Sequence, residues 1–206
     1  MKGIVLSLCD LTGNMVKPWL EAGYECWIVD TQHSPGENRD GNLVRVGADI
    51  RYWLPPRVEY AIAFAFPPCT NLAGSGARWF AAKGPRVIGE SMMLVGACME
   101  VLCWTGAPWM IDNPVGLLST RWRTPEHIFD PCDYGGYLDG PGDAYTKKTC
   151  LWTGNGFRMP PLRPVAPVEG SRIHLMPPSP DRANRRSETP MGFARAVFEA
   201  NAEVLV

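Results

Sequence analysis

A cysteine placed directly after an apolar run is the first feature of this sequence that could do chemistry. Residues 60–66 read Tyr-Ala-Ile-Ala-Phe-Ala-Phe, and Pro67, Pro68 and Cys69 end the run abruptly. Such a run predicts a buried strand, and open α/β sheets bind their ligands at the carboxyl ends of their strands. The thiol of Cys69 is therefore a candidate nucleophile at that edge, although a free cysteine taken alone is more often a small buried hydrophobic residue.

Acidic residues follow two other predicted strands. Residues 3–8 and 26–29 are short apolar runs, and they precede Asp10 and Asp30. Nucleotide-binding α/β folds place an acid at the tip of the second strand, where its carboxylate accepts hydrogen bonds from ribose hydroxyls. Asp30 fits that position, with the alternative that it only caps the loop after it.

A third acid, Asp49, precedes a predicted loop and stands two residues before Arg51. Its carboxylate either contacts an adenine amino group or forms a surface ion pair with that arginine. The sequence leaves both alternatives open.

The elements that must position these residues alternate between strands and helices. Helical patterns occupy residues 14–22 and 86–104, and a further strand, 107–111, ends at Asp112. Thr189 is a predicted N-cap of a final helix that extends to residue 205. This alternation predicts an α/β fold with a mostly parallel sheet.

Composition narrows the class of protein. The 206 residues are 46% hydrophobic and 20% charged, with a formal net charge of -1, which is typical of one ordinary globular domain. No leader with a cleavage site and no run of about 18 apolar residues is recognisable, so we expect a cytoplasmic protein without a membrane partner. The near-neutral charge does not favour strong nonspecific binding to duplex DNA.

The cysteine pattern favours neither disulfides nor a metal. Seven cysteines, an odd number, lie mostly in apolar stretches and form no CxxC pair. Cys132, Cys150, His127 and His174 share one half of the chain, but their separations match no compact zinc motif. We therefore predict no metal site.

Several segments together resemble a known family. Residues 6–13, Asp30, residues 66–70 and residues 111–115 appear in the order of the cofactor loop, the ribose acid, the Pro-Cys loop and the acid loop of S-adenosylmethionine-dependent cytosine C5 methyltransferases. The chain is most similar to the short, phage-type members. The resemblance implies a Rossmann-like class I methyltransferase fold, with S-adenosylmethionine as cofactor and DNA as partner.

The resemblance also implies roles for individual residues. The catalytic set that it implies is Cys69, Asp112 and Lys148. The implied cofactor-binding set is Asp10, Thr12, Gly13, Asp30, Asp49, Ile50 and Pro67. The implied substrate-binding set is Pro68, Thr70, Asn113, Pro114, Lys147, Arg121 and Arg123.

The chemistry of the family explains these residue types. Addition of a cysteine thiolate to C6 of cytosine makes C5 nucleophilic enough to attack a sulfonium methyl group. The candidate nucleophile is Cys69, and the carboxyl of Asp112 is the candidate acid that protonates or hydrogen-bonds N3. Lys147 and Lys148 stand where the family carries arginines, with a solvated basic turn as the alternative.

The chain departs from the family in two ways. The usual acid is glutamate, and Asp112 is one methylene shorter. The full target-recognition domain is replaced by a small region rich in proline and glycine. We expect a cofactor-binding and catalytic core over residues 1–123, a loop-rich recognition region with a late basic strand over 124–188, and a C-terminal helix over 189–206 that packs back on the core.

The short recognition region leaves the acceptor open. Duplex DNA with a flipped cytosine, single-stranded DNA and a free cytosine nucleotide all fit, and a binding protein without turnover is a further alternative. Arginines 121, 123, 172, 182, 185 and 186 form a candidate phosphate-facing set. Trp79 and Trp152 are candidates for stacking on a base. We expect a monomer or a weak dimer.

Overall fold

The structure is a computed structural model that describes residues 2–140, 142–171 and 175–202. Its eight strands form one sheet in the order β3-β4-β2-β1-β5-β6-β8-β7. The strands are β1 (Ile4–Leu8), β2 (Cys26–Val29), β3 (Gly36–Asp40), β4 (Leu43–Gly47), β5 (Tyr60–Ala65), β6 (Trp109–Pro114), β7 (His127–Phe129) and β8 (Thr149–Gly154). Strands β4, β2, β1, β5 and β6 run parallel, whereas β3 and β8 are antiparallel to their neighbours.

The helices cover both faces of this sheet. They are α1 (Lys17–Glu21), α2 (Phe80–Thr105), α3 (Leu117–Arg121), α4 (Arg182–Ser187) and α5 (Met191–Ala202), and short 3-10 turns occupy Asn14–Val16, Gly74–Trp79 and Pro131–Tyr137. The predicted α/β fold with a mostly parallel sheet is confirmed. The central strands are buried because they carry apolar side chains on both faces, and all six residues of β5 are buried.

Two apolar clusters lie on opposite faces of the sheet. On one face, α2 contributes Val95, Cys98 and Leu102 to a cluster that includes Leu6 and Ile111. On the other face, α5 packs Phe193 and Val197 against Trp19 and Phe64. The final helix therefore packs on this face of the sheet, and residues 203–206 of its predicted range lie outside the described residues.

The longest helix differs from the sequence expectation in two respects. Helix α2 begins at Phe80 and contains a kink at Gly84 (φ 76°, ψ 167°), followed by Pro85, so only its second part matches the predicted helix 86–104. The segment Gly74–Thr105 is long and apolar enough to cross a membrane by length and composition alone, contrary to the expectation that no such segment exists. A single such helix is weak evidence, because core helices of globular proteins meet the same criterion.

Sequence reasoning missed the two edges of the sheet. Strands β3 and β4 form a hairpin around Gly41, whose φ of 57° suits the turn. All five residues of β3 are exposed, so no apolar alternation marks it as a strand. Strand β7 and the 3-10 turn Pro131–Tyr137 lie in the region predicted to be loop-rich, where aromatic residues supply the burial.

Candidate active site

The carboxyl ends of β5 and β6 hold the predicted Pro-Cys and Asp-Asn segments side by side. The register pairs Ala65 with Ile111, so Asp112 continues past the end of β5. After β5, the Phe66 N–H donates to the Leu8 carbonyl at 2.9 Å, which ties the following turn to β1. Pro67 is buried, Pro68 is exposed and Cys69 is half-buried. The thiol therefore lies at the sheet edge where the sequence placed it.

Asn113 holds the two segments together. Its Nδ2 donates to the Pro67 carbonyl at 2.8 Å, and the side chain is buried. The Oδ1 atom of the same amide is buried and has no hydrogen-bond partner among the described residues. Asn113 thus positions the Pro-Cys turn from the neighbouring strand.

Backbone contacts between residues 69–73 and residues 116–117, here called the clip, fix the turn after Cys69. The Cys69 carbonyl accepts hydrogen bonds from the N–H groups of Leu72 and Ala73, at 2.9 and 2.8 Å. The Leu72 carbonyl accepts from the Leu117 N–H at 2.8 Å, and Ala73 and Gly116 form an antiparallel bridge. A Cβ at Gly116 would collide with the Leu72 carbonyl oxygen, so this close approach requires glycine.

Lys83 supports the turn from α2, a role that the sequence analysis missed. Its Nζ donates to the Thr70 carbonyl and to Asn71 Oδ1, both at 2.8 Å. Asn71 in turn donates to Ser91 Oγ on the same helix at 3.0 Å. Thr70 is exposed, and its carbonyl is engaged by Lys83.

Cys69 and Asp112 are coupled electrostatically to one another and to Lys147. Burial raises the pKa of the Cys69 thiol, Asp112 raises it further, and the positive charges of Lys147 and Arg186 lower it. Asp112 is half-buried by surface area, yet protein surrounds it closely enough that burial raises its pKa to about 6, against a lowering by Lys147. A thiol, a carboxyl that titrates near neutrality and an ammonium therefore share one site.

The two neighbouring lysines have different surroundings. Lys147 is half-buried, and its charge acts on both Cys69 and Asp112. Lys148 is exposed, and its charge lowers the pKa of Cys150 instead. Side chains of successive residues entering a strand point to opposite faces, which explains the difference. Of the two lysines, Lys147 acts on the Cys69 and Asp112 side chains, and the catalytic role of Lys148 stays a prediction.

On the other side of the sheet edge, Asp10 shapes the loop after β1. One carboxylate oxygen accepts from the N–H groups of Thr12 and Gly13 at 3.1 and 2.7 Å, and the other accepts from Ser7 Oγ at 2.7 Å. Gly13 has a φ of 67°, which favours glycine. The Asp10 side chain therefore organises the predicted cofactor loop by accepting hydrogen bonds from the backbone of that loop.

Asp30 and Asp49 follow β2 and β4 at the same edge. Asp30 Oδ1 accepts from the Gln32 N–H at 2.8 Å, so it does cap its loop, and Oδ2 accepts no hydrogen bond from the described residues. Asp49 forms a bidentate pair with Arg51, with its shortest distance 2.6 Å, which lowers the pKa of Asp49. The ion-pair alternative for Asp49 is the one that the structure contains.

Two more residues complete this side of the edge. Ile50 is buried in the apolar cluster beneath α2. Cys9 adopts a φ of 54° at the end of β1, with its Sγ 3.9 Å from Cys98 Sγ. The Cys98 thiol and burial raise the pKa of Cys9 well above its ordinary value.

Arg123 lies away from this edge. Its Nη1 is 2.7 Å from Glu126 Oε1, and its Nη2 donates to the Thr153 carbonyl at 3.1 Å. Thr153 pairs with Met110 near the amino end of β6, whereas Cys69 is at the carboxyl end. The prediction that Arg123 binds substrate is therefore not supported by its position.

The other predicted nucleic-acid contacts differ in their surroundings. Trp152 is fully buried, with its ring centroid 5.7 Å from that of Trp122, so it has no face for a base. Trp79 is 54% exposed and Arg121 is exposed. Pro114 ends β6 opposite Thr149 of β8.

Two residues of the predicted sets, Arg172 and His174, lie outside the described residues. Within residues 2–140, 142–171 and 175–202, no three His, Cys, Asp or Glu side chains form a group that could hold a metal ion. All seven cysteines are free thiols.

Comparison with known proteins finds only distant structural similarity. No protein-family model and no curated protein matches the chain. A structure of the glycopeptide N-methyltransferase MtfA complexed with (S)-adenosyl-L-methionine is similar at 13% identity and a TM-score of 0.29, over 63% of this chain and 53% of that one. A second structure of the glycopeptide N-methyltransferase MtfA is 13% identical with a TM-score of 0.32, over 91% and 71%.

The match spans about half the length of the first of these proteins. Likeness at this level determines neither the family nor the activity of the chain. The fold class rests on the sheet itself, and the chemistry rests on the residues at its carboxyl edge.

Proposed function

We propose that the chain is an S-adenosylmethionine-dependent methyltransferase that acts on C5 of cytosine in DNA through a thioether at Cys69. The observation that carries the proposal is the position of Cys69 and Asp112 at the joined ends of β5 and β6, where Asn113 Nδ2 donates to the Pro67 carbonyl at 2.8 Å. The sequence order of the resembling segments supports it, and so does the placement of these segments along one sheet edge.

In the proposed reaction, the Cys69 thiolate forms a bond to C6 of the cytosine while Asp112 hydrogen-bonds or protonates N3. A carboxyl with a pKa of about 6 can serve as that proton donor near neutral pH. S-adenosylmethionine supplies the electrophilic methyl group when bound. A base then removes the C5 proton, the electron pair restores the C5–C6 double bond, and Cys69 leaves as thiolate.

The residues on the β1 and β2 side fit a nucleoside cofactor. The half-buried Asp30 has one carboxylate oxygen without a hydrogen bond from the described residues, which is available to a ribose hydroxyl. The loop of Asp10, Thr12 and Gly13 is already ordered by its own hydrogen bonds.

Duplex DNA with a flipped base and single-stranded DNA both fit the proposal. Turnover of a free cytosine nucleotide is the second candidate, because the segment between β8 and α5, residues 155–190, is short for a recognition domain and rich in proline. The proposed setting is the cytoplasm, that of the host cell if the chain is phage-encoded, and the proposed state is a monomer or weak dimer.

Methyl transfer with labelled cofactor tests the function. Labelled S-adenosylmethionine is offered with duplex DNA, single-stranded DNA and dCMP, to the wild-type chain and to Cys69→Ser. We expect label in at least one acceptor with the wild type and none with the variant. The absence of label in every acceptor, together with no cofactor binding by calorimetry, would contradict the proposal.

A further inference from the structure

The outer face of α2 is apolar and open to solvent. The inner face packs Val95, Cys98 and Leu102 against the sheet. On the opposite face, Met93 is 66% exposed, more than any other large apolar side chain of α2. The most apolar stretch of the segment Gly74–Thr105 is only 22% buried. An exposed apolar helix face of this size is typical of a contact surface.

Two charged residues flank Met93 at equal distances along the helix. Arg86 precedes it by seven residues and Glu100 follows it by seven, and no charged residue lies between Glu90 and Glu100. Seven residues are about two turns and about 10 Å of helix, so the three side chains share the outer face. The Arg86 side chain is 90% exposed and lies 2.9 Å from Glu90, whereas Glu100 is exposed and has no ion pair with the described residues. The outer face therefore has an apolar centre between charges of opposite sign.

Two glycines on the same side of α2 are not required by packing within the fold. A Cβ at Gly89 or at Gly96 would meet no described atom within 4 Å. Glycine inside a helix costs about 1 kcal/mol relative to alanine. The two glycines lie on either side of Met93, where the absence of side chains lets a second helix approach closely.

We propose that the outer face of α2 is the surface through which two copies of this chain form a dimer. The two α2 helices run antiparallel, with Met93 at the two-fold axis. Arg86 of each copy then faces Glu100 of the other copy, so the contact contains this charge pair twice. Antiparallel helix dipoles also attract each other.

The symmetric spacing of the charges selects a second copy as the occupant. A contact between identical surfaces requires that each copy supply both members of every pair, and α2 supplies both Arg86 and Glu100. The inference goes beyond the proposed function and does not rest on it. It makes the dimer, rather than the monomer, the working state at high concentration.

Site-directed crosslinking tests the position of the two-fold axis. Only Cys103 is an exposed cysteine, so Cys103→Ser is the background. Met93→Cys in that background should give a disulfide-linked dimer with diamide, which takes up the two thiol protons and two electrons as its N=N bond becomes a hydrazine. Leu162→Cys is the matched control, because Leu162 is 61% exposed and adjoins Arg163, which pairs with Glu199 of α5 on the opposite face. Crosslinking of Leu162→Cys to the same extent, or none of Met93→Cys, would overturn the proposal.

Charge reversal tests the pairing of Arg86 with Glu100. Sedimentation velocity at about 1 to 100 μM chain measures the dissociation constant of the dimer. Arg86→Glu and Glu100→Arg should each raise this constant about 10-fold or more, because each places like charges opposite one another. The double variant should return it to within about threefold of the wild type. Glu90→Gln is the control, since it breaks the ion pair within the helix and leaves the charges that face the other copy.

Each other occupant of this face gives a distinct result. A chain that sediments as a monomer at every concentration would overturn the dimer. Flotation of the wild type, but not of Met93→Glu, with phosphatidylcholine–phosphatidylglycerol vesicles would overturn it in favour of a membrane surface. A dimer that is insensitive to both charge reversals would place the contact elsewhere and overturn the role of α2. None of these readouts depends on methyl transfer, and circular dichroism confirms that each variant is folded.

Discussion

The carboxyl group of Asp112 is poorly hydrated and lies within the field of the Lys147 ammonium group. Burial has the larger effect, so the pKa of the carboxyl rises to about 6. In water an aspartate of this kind would be fully ionised at neutral pH and would be a weak proton donor. Under the proposed function, this raised pKa lets Asp112 donate the proton for which cytosine C5 methyltransferases use a glutamate.

This pKa predicts an unusual dependence of stability on pH. Because the folded pKa lies above the ordinary value of 3.8, ionisation costs the native state free energy. The cost is absent below pH 3.8, grows up to about pH 6 and is complete above it. We expect the free energy of unfolding of Asp112→Asn to exceed that of the wild type by about 1 to 3 kcal/mol at pH 7.5 and to equal it near pH 4, as measured by denaturant titration. A variant less stable than the wild type at pH 7.5 would contradict the assigned cause.

The two lysines show where sequence reasoning stops at the residue scale. The pair Lys147-Lys148 could be recognised as cationic from the sequence, but which lysine faces the site depends on the register of β8. That register pairs Asp112 with Leu151 and Pro114 with Thr149, and both lysines precede the paired part of β8. Arg123 illustrates the same limit, since only its contacts with Glu126 and Thr153 show that it lies near the other edge.

At the scale of elements, Gly116 joins the turn after Cys69 to the turn after β6. It forms a bridge with Ala73, and the Gly74 N–H donates to the Val115 carbonyl at 2.9 Å. These contacts fix the distance between the nucleophile and the acid. The rate of the reaction should therefore depend on this clip more than the stability of the protein does.

Gly116→Ala tests the clip. The new Cβ would collide with the Leu72 carbonyl and lie 2.9 Å from Ala73 Cα, so the turn after Cys69 must shift. We expect kcat/KM for methyl transfer to fall about 10- to 100-fold, with cofactor affinity by calorimetry unchanged within about twofold. Gly76→Ala is the matched control, because a Cβ there would meet only Thr70 O at an ordinary 3.7 Å. Equal activities for the two variants would show that the clip does not position Cys69.

The strands that bear the site were predictable because their apolar runs are unmistakable. Strands β1, β2 and β5 have nearly or fully buried residues throughout, and their ends are marked by Asp10, by Asp30 and by two prolines. Strand β6 extends to Pro114, beyond its predicted end, because pairing with β8 continues through Asp112 and Asn113. The role of Lys83 could not be assigned, since tertiary packing alone brings α2 to the turn after Cys69.

At the scale of the whole molecule, the carboxyl edge of the sheet divides into two sides. The ends of β1, β2 and β4 carry Asp10, Asp30 and Asp49, and the ends of β5 and β6 carry Cys69 and Asp112. The chain order passes from one side to the other at β1, where a ligand crevice forms in open α/β sheets. We assign the ends of β1, β2 and β4 to the proposed cofactor and the ends of β5 and β6 to the proposed acceptor.

This division predicts that substitutions on one side weaken cofactor binding and that substitutions on the other side do not. Asp30→Ala should weaken binding of S-adenosylmethionine about 10- to 100-fold by calorimetry, because it removes a charged acceptor for ribose hydroxyls. Asp112→Asn should change the same affinity by less than about twofold, since its carboxyl lies on the other side. Equal losses in the two variants would mean that one of the two sites is misplaced.

Trapping of the acceptor at Cys69 tests the central claim most directly. An oligonucleotide or nucleotide carrying 5-fluorocytosine has no C5 proton to lose after methyl transfer, so the thioether to C6 should persist. The account predicts a stable adduct that requires S-adenosylmethionine, maps to the peptide containing Cys69 by mass spectrometry and is absent from Cys69→Ser. An adduct of the same mass that persists in Cys69→Ser, or maps to another cysteine, would contradict it.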